Sequence, residues 1–301
     1  MPHMLAQQVL NGVMIGSVYA LTAMGATLIY GILHILDIAN AAAYVIGAYI
    51  GWLIYYQTGS LVLAFVLSML ITGSIGVCIH RFIYAPILAK PRLMPIVPLV
   101  CSVGLFTMSG DLIRLIAGPS SKAYNVNFGV QVINIGILTV MPAWILILIL
   151  TVVLFFIMWF VLNKTKMGLA WRATAEDPEI AQSMGVNTNS AMALSYVLGY
   201  GFAASAGIMV GILYNSITPA LGEVPSYKML AIIVLGGLGN PVGTVAAGLF
   251  IGLAETMISA FSLDFLPKDS IAFIVLIVVL LLKPSGLISE KSAVRIEEGG
   301  L

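Results

Sequence analysis

The chain has 301 residues, of which 60% are hydrophobic and only 8% are charged, and its formal net charge is +1. Soluble domains carry about 25% charged residues, so this composition excludes an ordinary water-soluble protein and indicates that lipid covers much of the surface. The near-neutral charge gives no basis for a nucleic-acid partner.

Eight segments are candidates for membrane spans, because a helix needs about 20 apolar residues to cross the hydrocarbon core. In chain order they cover residues 9–30, 40–56, 61–82, 96–117, 138–162, 191–214, 242–261 and 270–282. The residues before the first span include no lysine or arginine, unlike a secretory signal, so we expect the first span to be retained.

A ninth apolar piece, residues 229–239, is too short to cross the membrane alone and runs into Asn240 and Pro241. It predicts a half-helix or a re-entrant segment, which survives at membrane depth only inside protein or along a cavity. The predicted fold class is therefore an all-α polytopic membrane protein with about eight to nine transmembrane segments and broken or re-entrant helices.

Basic residues predict the orientation, because they concentrate on the cytoplasmic side. Nine of the 13 lysines and arginines form three clusters, namely Arg81, Lys90 and Arg92; Lys164, Lys166 and Arg172; and Lys283, Lys291 and Arg295. All three clusters are cytoplasmic if residues 229–239 count as a crossing. The N-terminus is then on the outside, and the C-terminus is cytoplasmic.

Small residues recur four positions apart in several spans, a spacing that lets helix backbones approach closely. The pairs and triplets are Gly12 and Gly16; Gly47 and Gly51; Ala203, Gly207 and Gly211; and Gly248 and Gly252. They predict a densely packed bundle rather than a binding site.

The longest polar stretch between spans is residues 163–189. Asp177 followed by Pro178 is a strong helix-start signal, and Gly185 is a typical helix end. A short helix over residues 178–184 is therefore expected beside the membrane. Such a helix suits a docking surface for a partner, although many surface loops contain one.

This stretch carries a motif, K-T-K-x-G-x-A-x-R-A-x-A-x-D-x-x-x-A-x-x-x-G-V, over residues 164–186. It resembles the cytoplasmic signature of permeases in ATP-binding-cassette (ABC) importers for hydrophobic amino acids. Residues 11–31, 47–49, 234–244 and 283–287 also match that family in the same order. The similarity is greatest to the shorter of the two permeases in branched-chain amino acid importers.

The resemblance implies one transmembrane permease domain over residues 1–301, in the bacterial inner membrane, with residues 163–189 as a cytoplasmic coupling loop. It implies contact with the ATPase through Arg172, Ala173, Asp177, Pro178, Glu179, Ala181 and Gly185. The implied partners are a second homologous permease, two ATP-binding subunits and an extracytoplasmic solute-binding protein. ATP and Mg²⁺ would be bound by those partner subunits, so no cofactor and no catalytic role is expected of this chain.

The resemblance also gives candidates for the translocation path, which are Ser17, Tyr19, Asp37, Asn40, Gly236 and Gly237. Where the family usually has N-F-A-H-G, this chain has D-I-A-N-A at residues 37–41. A different solute, such as urea or a short amide, is therefore an alternative to branched-chain amino acids. Asp37 could equally be a helix N-cap at the start of the second span.

Two other charged positions have simpler interpretations. Glu255 lies inside an apolar span with no cation nearby in sequence, which favours a structural hydrogen bond over a place on the path. Asp111 and Arg114 are three residues apart and are expected to pair on one helix face. Cys78 and Cys101 lack metal or redox spacing.

Two other classes of function remain as alternatives. An ion-coupled secondary transporter would use an intramembrane carboxylate and broken helices, although no inverted repeat is visible in the sequence. A membrane-embedded enzyme would need a convergent catalytic or metal-binding set, and the sequence presents none.

Overall fold

The computed structural model describes residues 2–88, 96–126, 133–135, 138–260 and 268–282. The helices are α1 (Pro2–Leu33), α2 (Asn40–Thr58), α3 (Leu61–Ile79), α4 (Ala85–Leu88), α5 (Ile96–Ala117), α6 (Pro142–Lys164), α7 (Lys166–Glu176), α8 (Pro178–Ser183), α9 (Thr188–Leu213), α10 (Glu223–Gly236), α11 (Pro241–Ala260) and α12 (Lys268–Leu282). A π-helical turn, His80–Tyr84, joins α3 to α4. Strands β1 (Ile133–Ile135) and β2 (Leu138–Val140) pair antiparallel.

The all-α polytopic fold is confirmed, and within the described residues six helices are long and apolar enough to cross a membrane. The count of eight to nine spans is not confirmed. Lys90, Arg92 and the basic residues of the tail lie outside the described residues.

Two predicted boundaries were wrong. The span predicted to begin at residue 138 begins at Pro142, because residues 138–140 pair with β1 and proline favours the first turn of a helix. The half-helix predicted at residues 229–239 is α10, which begins earlier, at Glu223. Its 14 residues are about 21 Å long, shorter than the hydrocarbon core of about 30 Å.

Helices α1 and α9 form the centre of the bundle, and 83% of the most apolar window of each is buried. The two helices cross at Gly25 and Gly199, where a Cβ on either glycine would overlap the carbonyl of the other. Gly12 and Gly16 allow the same close approach to α11, and Gly47 and Gly207 allow it between α2 and α9. The predicted role of the small residues in packing is therefore confirmed.

Two groups of three helices, α1–α3 and α9–α11, share one pattern of packing contacts. In each, the first helix is followed by a residue with positive φ, His34 (52°) or Asn215 (47°), and an irregular segment leads to the second helix. In each group the second helix packs on the third helix of its own group and on the first helix of the other group, so α2 contacts α3 and α9, and α10 contacts α11 and α1. The third helix of each group also packs on the first helix of the other group, α3 on α9 and α11 on α1. The likeness lies in the packing of the helices and is not visible in the residue pattern.

Candidate functional site

The polar loop folds as two short helices, α7 and α8, held by side-chain caps. The Asp177 carboxylate accepts hydrogen bonds from the backbone N–H groups of Glu179 (2.8 Å) and Ile180 (2.9 Å), as the Asp-Pro signal predicts. α8 ends at Ser183, one residue before the predicted end. Gly185 follows with a φ of 84°, which a glycine adopts without strain, so the predicted start and stop signals are both confirmed.

Some of the residues predicted to couple to the ATPase hold the loop in shape, and the others lie on its surface. Asp177, Pro178, Gly185 and the buried Ala181 shape the loop, and Arg172 ties it to the end of α6 by donating to the Leu162 carbonyl. Glu179 is exposed on α8. Ala173 lines a groove of about 360 Å³ together with Lys166, Met167, Leu169, Ala170, Val186, Asn187 and Ser190.

Sequence reasoning missed the apolar surface of this loop. Ile180 and Met184 are 62% and 80% exposed, and they are four residues apart on and just after α8. Residues with this spacing lie on the same face of a helix. Exposed apolar side chains on one face of a helix outside the apolar spans are suited to contact with a protein partner.

Sequence reasoning also missed the side chain that joins the loop to the bundle, Trp171. Its indole is 7% exposed and packs on Gly31, near the end of α1, and its Nε1–H donates to Ser195 Oγ of α9 at 2.6 Å. The signal was available, because Gly168, Trp171 and Thr174 form the buried stripe of α7 at three-residue spacing.

Asp37 lies in the irregular segment between α1 and α2 and is 4% exposed. Its carboxylate accepts hydrogen bonds from Tyr84 Oη (2.7 Å), Tyr200 Oη (3.1 Å) and the Ala39 N–H (3.0 Å). The N-cap interpretation was wrong, because Ala39 occupies that position of α2. Asp37 instead fastens the segment to α9 and to the π-helical turn.

The other path candidates are also buried in helix contacts. Asn40 donates to the Thr22 carbonyl (3.3 Å) and to Met229 Sδ (3.7 Å), and Ser17 donates to the Val13 carbonyl within α1. Gly236 packs against Gly243 and Thr244 of α11, and Gly237 turns the chain with a φ of 100°. Gly236 therefore permits a close contact between α10 and α11, and Gly237 lets the chain turn between them.

Tyr19, the remaining candidate, belongs to a buried charged cluster with Lys228 of α10 and Glu255 of α11. Lys228 Nζ is 2.8 Å from Glu255 Oε1 and donates to Tyr19 Oη at 2.7 Å, and Tyr19 Oη donates to Glu255 Oε2 at 2.9 Å. The Lys228 and Glu255 side chains are only 3% and 7% exposed. We call these three residues the charged cluster.

The hydrogen bond predicted for Glu255 is confirmed, but its premise was wrong, because a cation 27 residues earlier pairs with it. The sequence signal was one basic residue in α10, Lys228, and one acidic residue in α11, Glu255, because these two apolar helices are neighbours in the chain. Asp111 and Arg114 pair as predicted at 3.3 Å, with both side chains more than half exposed.

Replacing Asp37 with alanine should lower the unfolding temperature of the purified protein in detergent. Each tyrosine hydroxyl that loses its buried acceptor costs about 1–3 kcal/mol. Thermal unfolding would be measured beside Asp111→Ala, an exposed carboxylate whose loss should cost little. If Asp37→Ala abolishes solute uptake while the unfolding temperature stays unchanged, Asp37 belongs to the path rather than to this anchor.

A bundle of long apolar helices with buried charged residues and a capped short helix in its polar loop is typical of a polytopic integral-membrane protein. The family model for the branched-chain amino acid transport system permease component matches residues 8–282. The chain therefore belongs to this family of ABC permeases, as the sequence motifs predicted, and is a multi-pass transport subunit of the inner membrane.

Individual relatives agree with the family match along nearly the whole chain. The high-affinity branched-chain amino acid transport permease BraD of Pseudomonas aeruginosa is 32% identical over 96% of this chain and 97% of its own. The corresponding permease LivH of Escherichia coli K12 is 33% identical over the same shares. A probable LivH of Methanocaldococcus jannaschii is 26% identical over 93% of this chain and 92% of its own. No solved structure matches the chain.

Proposed function

We propose that this chain is the permease subunit of an ATP-driven importer that moves branched-chain amino acids across the inner membrane by alternating access. The family match over residues 8–282 is the observation that carries this proposal. The importer contains a second homologous permease, two ATP-binding subunits that hold ATP and Mg²⁺ and hydrolyse the ATP, and an extracytoplasmic solute-binding protein. One permease domain, residues 1–301, includes the coupling loop of residues 163–189.

The coupling loop faces the cytoplasm in this proposal, and the N-terminus faces the periplasm. Lys164, Lys166 and Arg172 at the start of the loop support this orientation through the positive-inside rule. An ATPase on the cytoplasmic side would then meet α7 and α8 directly.

Motor movement reaches the bundle through a short chain of contacts. Ile180 and Met184 offer apolar side chains to a groove on the ATPase, and Glu179 adds a charge at the rim of that contact. Asp177 and Gly185 make α8 a rigid unit, and Trp171 connects the neighbouring α7 to α1 and α9. A displacement of the loop therefore shifts the two central helices together.

Other solutes and other classes of transporter have weaker support. The departure at Asp37 that suggested urea or a short amide concerns a side chain that three hydrogen bonds bury inside the bundle. An autonomous secondary transporter would function without ATPase subunits, and it would give no role to the coupling loop, whose capped helix is suited to bind them.

The double substitution Ile180→Asp and Met184→Asp should prevent the ATPase subunits from binding the permease. Carboxylates in a desolvated contact replace apolar anchors, and losing such anchors costs about 2–4 kcal/mol each, so binding should weaken by at least about a hundredfold. Co-purification with the ATPase subunits and ATP-driven uptake of radiolabelled leucine into proteoliposomes would be measured.

The matched control is Leu115→Asp, at an apolar residue of α5 that is 84% exposed and lies outside the coupling loop. It should leave ATPase binding intact. Undiminished ATPase binding by the double variant would contradict the assigned docking surface. Failure of the complete wild-type importer to take up leucine would contradict the proposed substrate.

A further inference from the structure

The helix α10 carries an exposed carboxylate, Glu223, at its start. Glu223 is the first residue of α10, and both Glu223 and Val224 are exposed, whereas Gly222 before them is buried. The position of α10 relative to the membrane makes this exposure significant.

α10 begins inside the membrane. Lys228 reaches the hydroxyl of Tyr19, which is the central residue of the 29-residue apolar span Leu5–Leu33. Glu223 precedes Lys228 by five residues, or about 8 Å of helix, and the hydrocarbon core extends about 15 Å from its centre. Gly222 packs on Ala41 and Val45 of α2, beside the Asn40 that bonds Thr22 in the middle of α1, and this contact supports the same depth.

Glu223 lies in the half of the membrane away from the coupling loop. The other end of α10 leads to Gly239, which contacts Gly31 near the end of α1, and Trp171 of the coupling loop packs on the same glycine. Under the proposed orientation, Glu223 therefore lies in the periplasmic half.

An ionised carboxylate exposed at this depth cannot face lipid without a large cost, so it faces water or a polar solute. Among the described residues the two ion pairs are Lys228–Glu255 and Asp111–Arg114, and neither includes Glu223. Lys228, the basic residue of the same helix, is held by Glu255 and Tyr19.

The face of α10 below Glu223 suits the rest of an apolar amino acid. Tyr227, Leu230 and Val234 follow at helical spacing and are only partly buried, and Tyr227 stacks on Phe273 of α12 at 5.3 Å. A carboxylate followed by aromatic and branched apolar side chains matches a solute with an ammonium group and an aliphatic tail.

We propose that Glu223 lines the translocation path and binds the ammonium group of the transported amino acid. This inference rests on the proposed function and names the group that the path recognises. The charged cluster, which fixes α10 five residues further on, holds the carboxylate at this depth.

The test uses the complete importer in proteoliposomes, with leucine and its binding protein. Glu223→Gln should lower the initial rate of leucine uptake at least about tenfold, because a charge-assisted hydrogen bond is lost, and Glu223→Asp should keep more activity. Asp111→Asn, an exposed carboxylate paired within α5, should stay within about twofold of wild type. Uptake by Glu223→Gln within twofold of wild type would overturn the proposal.

A labelling experiment gives a second readout that needs no transport. In a background with Cys78 and Cys101 replaced by serine, Glu223→Cys should react with a permanently charged methanethiosulfonate, and leucine-loaded binding protein with ATP should change the rate. Leu70→Cys, at an exposed residue in the middle of the apolar helix α3, should stay unreactive, because we expect lipid to cover that face. An unreactive Glu223→Cys would show that lipid or a second permease covers the site and would overturn the proposal. A wild-type importer that fails to transport leucine would reject the proposed function instead.

Discussion

Lys228→Glu should prevent accumulation of the folded importer, and adding Glu255→Lys should restore it. In the wild-type protein both oxygens of Glu255 contact the Lys228 ammonium, at 2.8 and 3.1 Å, and the single change replaces that cation with a second carboxylate in a buried site. Breaking a buried ion pair costs about 3–5 kcal/mol, a large part of the stability of most domains. In the double variant the glutamate and the lysine attract each other again. The Tyr19 hydroxyl can then donate to the glutamate at position 228 and accept from the lysine at position 255.

The measurement is the amount of monodisperse protein extracted from membranes, followed by its unfolding temperature. The matched control is the same exchange at Asp111 and Arg114, an exposed pair in one helix whose reversal should cost about 1 kcal/mol or less. Two results would contradict the role assigned to the cluster: wild-type levels of Lys228→Glu, or a double variant no better than the single one.

A third variant separates stability from transport. Replacing Lys228 and Glu255 together with methionine removes both charges and keeps most of the buried volume, so the protein should still fold. If the pair only fastened α10, leucine uptake by this variant should resemble that of wild type. A loss of uptake with retained folding would give the cluster a part in transport.

The sequence was sufficient wherever the structural cause is local. Asp177, Pro178 and Gly185 act within one or two turns of the chain, so the start and end of α8 could be predicted from capping alone. The long spans could also be predicted, because the length of an apolar run indicates a membrane-spanning helix. The Asp111–Arg114 pair could be predicted because its members lie within one helix turn.

The candidate site was harder to predict, because its contacts join residues that are far apart in the chain. Asp37 meets Tyr84 and Tyr200 across 47 and 163 residues, and Tyr19 meets Glu255 across 236. Hydropathy also placed the start of α10 too late, since Glu223 and Lys228 interrupt the apolar run. The role of a polar residue inside a membrane helix depends on the side chains that it contacts. Those side chains lie on other helices, so the residue pattern of one helix does not reveal them.

Trp171→Ala should uncouple ATP hydrolysis from transport. Removing a buried tryptophan costs about 3–5 kcal/mol of packing, and here the lost contacts are those of α7 with α1 and α9. The Ile180 and Met184 surface and the Asp177 cap remain, so the ATPase subunits should still bind. The expected result is near-normal ATPase activity with leucine uptake reduced at least about tenfold, since loss of about 1.4 kcal/mol of coupling already gives that factor.

Trp171→Phe separates the indole hydrogen bond from the packing. It keeps an aromatic ring at this position but loses the bond to Ser195, which is worth about 0.5–1.5 kcal/mol, and the indole atoms that lie next to Gly31. Because it removes less buried volume than alanine does, uptake per ATP should fall less than in the alanine variant. Trp159→Ala, at a tryptophan of α6 that is 42% exposed, controls for loss of a large side chain and should change neither activity. If Trp171→Ala keeps the wild-type ratio of leucine transported to ATP hydrolysed, motor movement reaches the bundle by another route. The Arg172 contact with the end of α6 is one such link between the loop and a membrane helix.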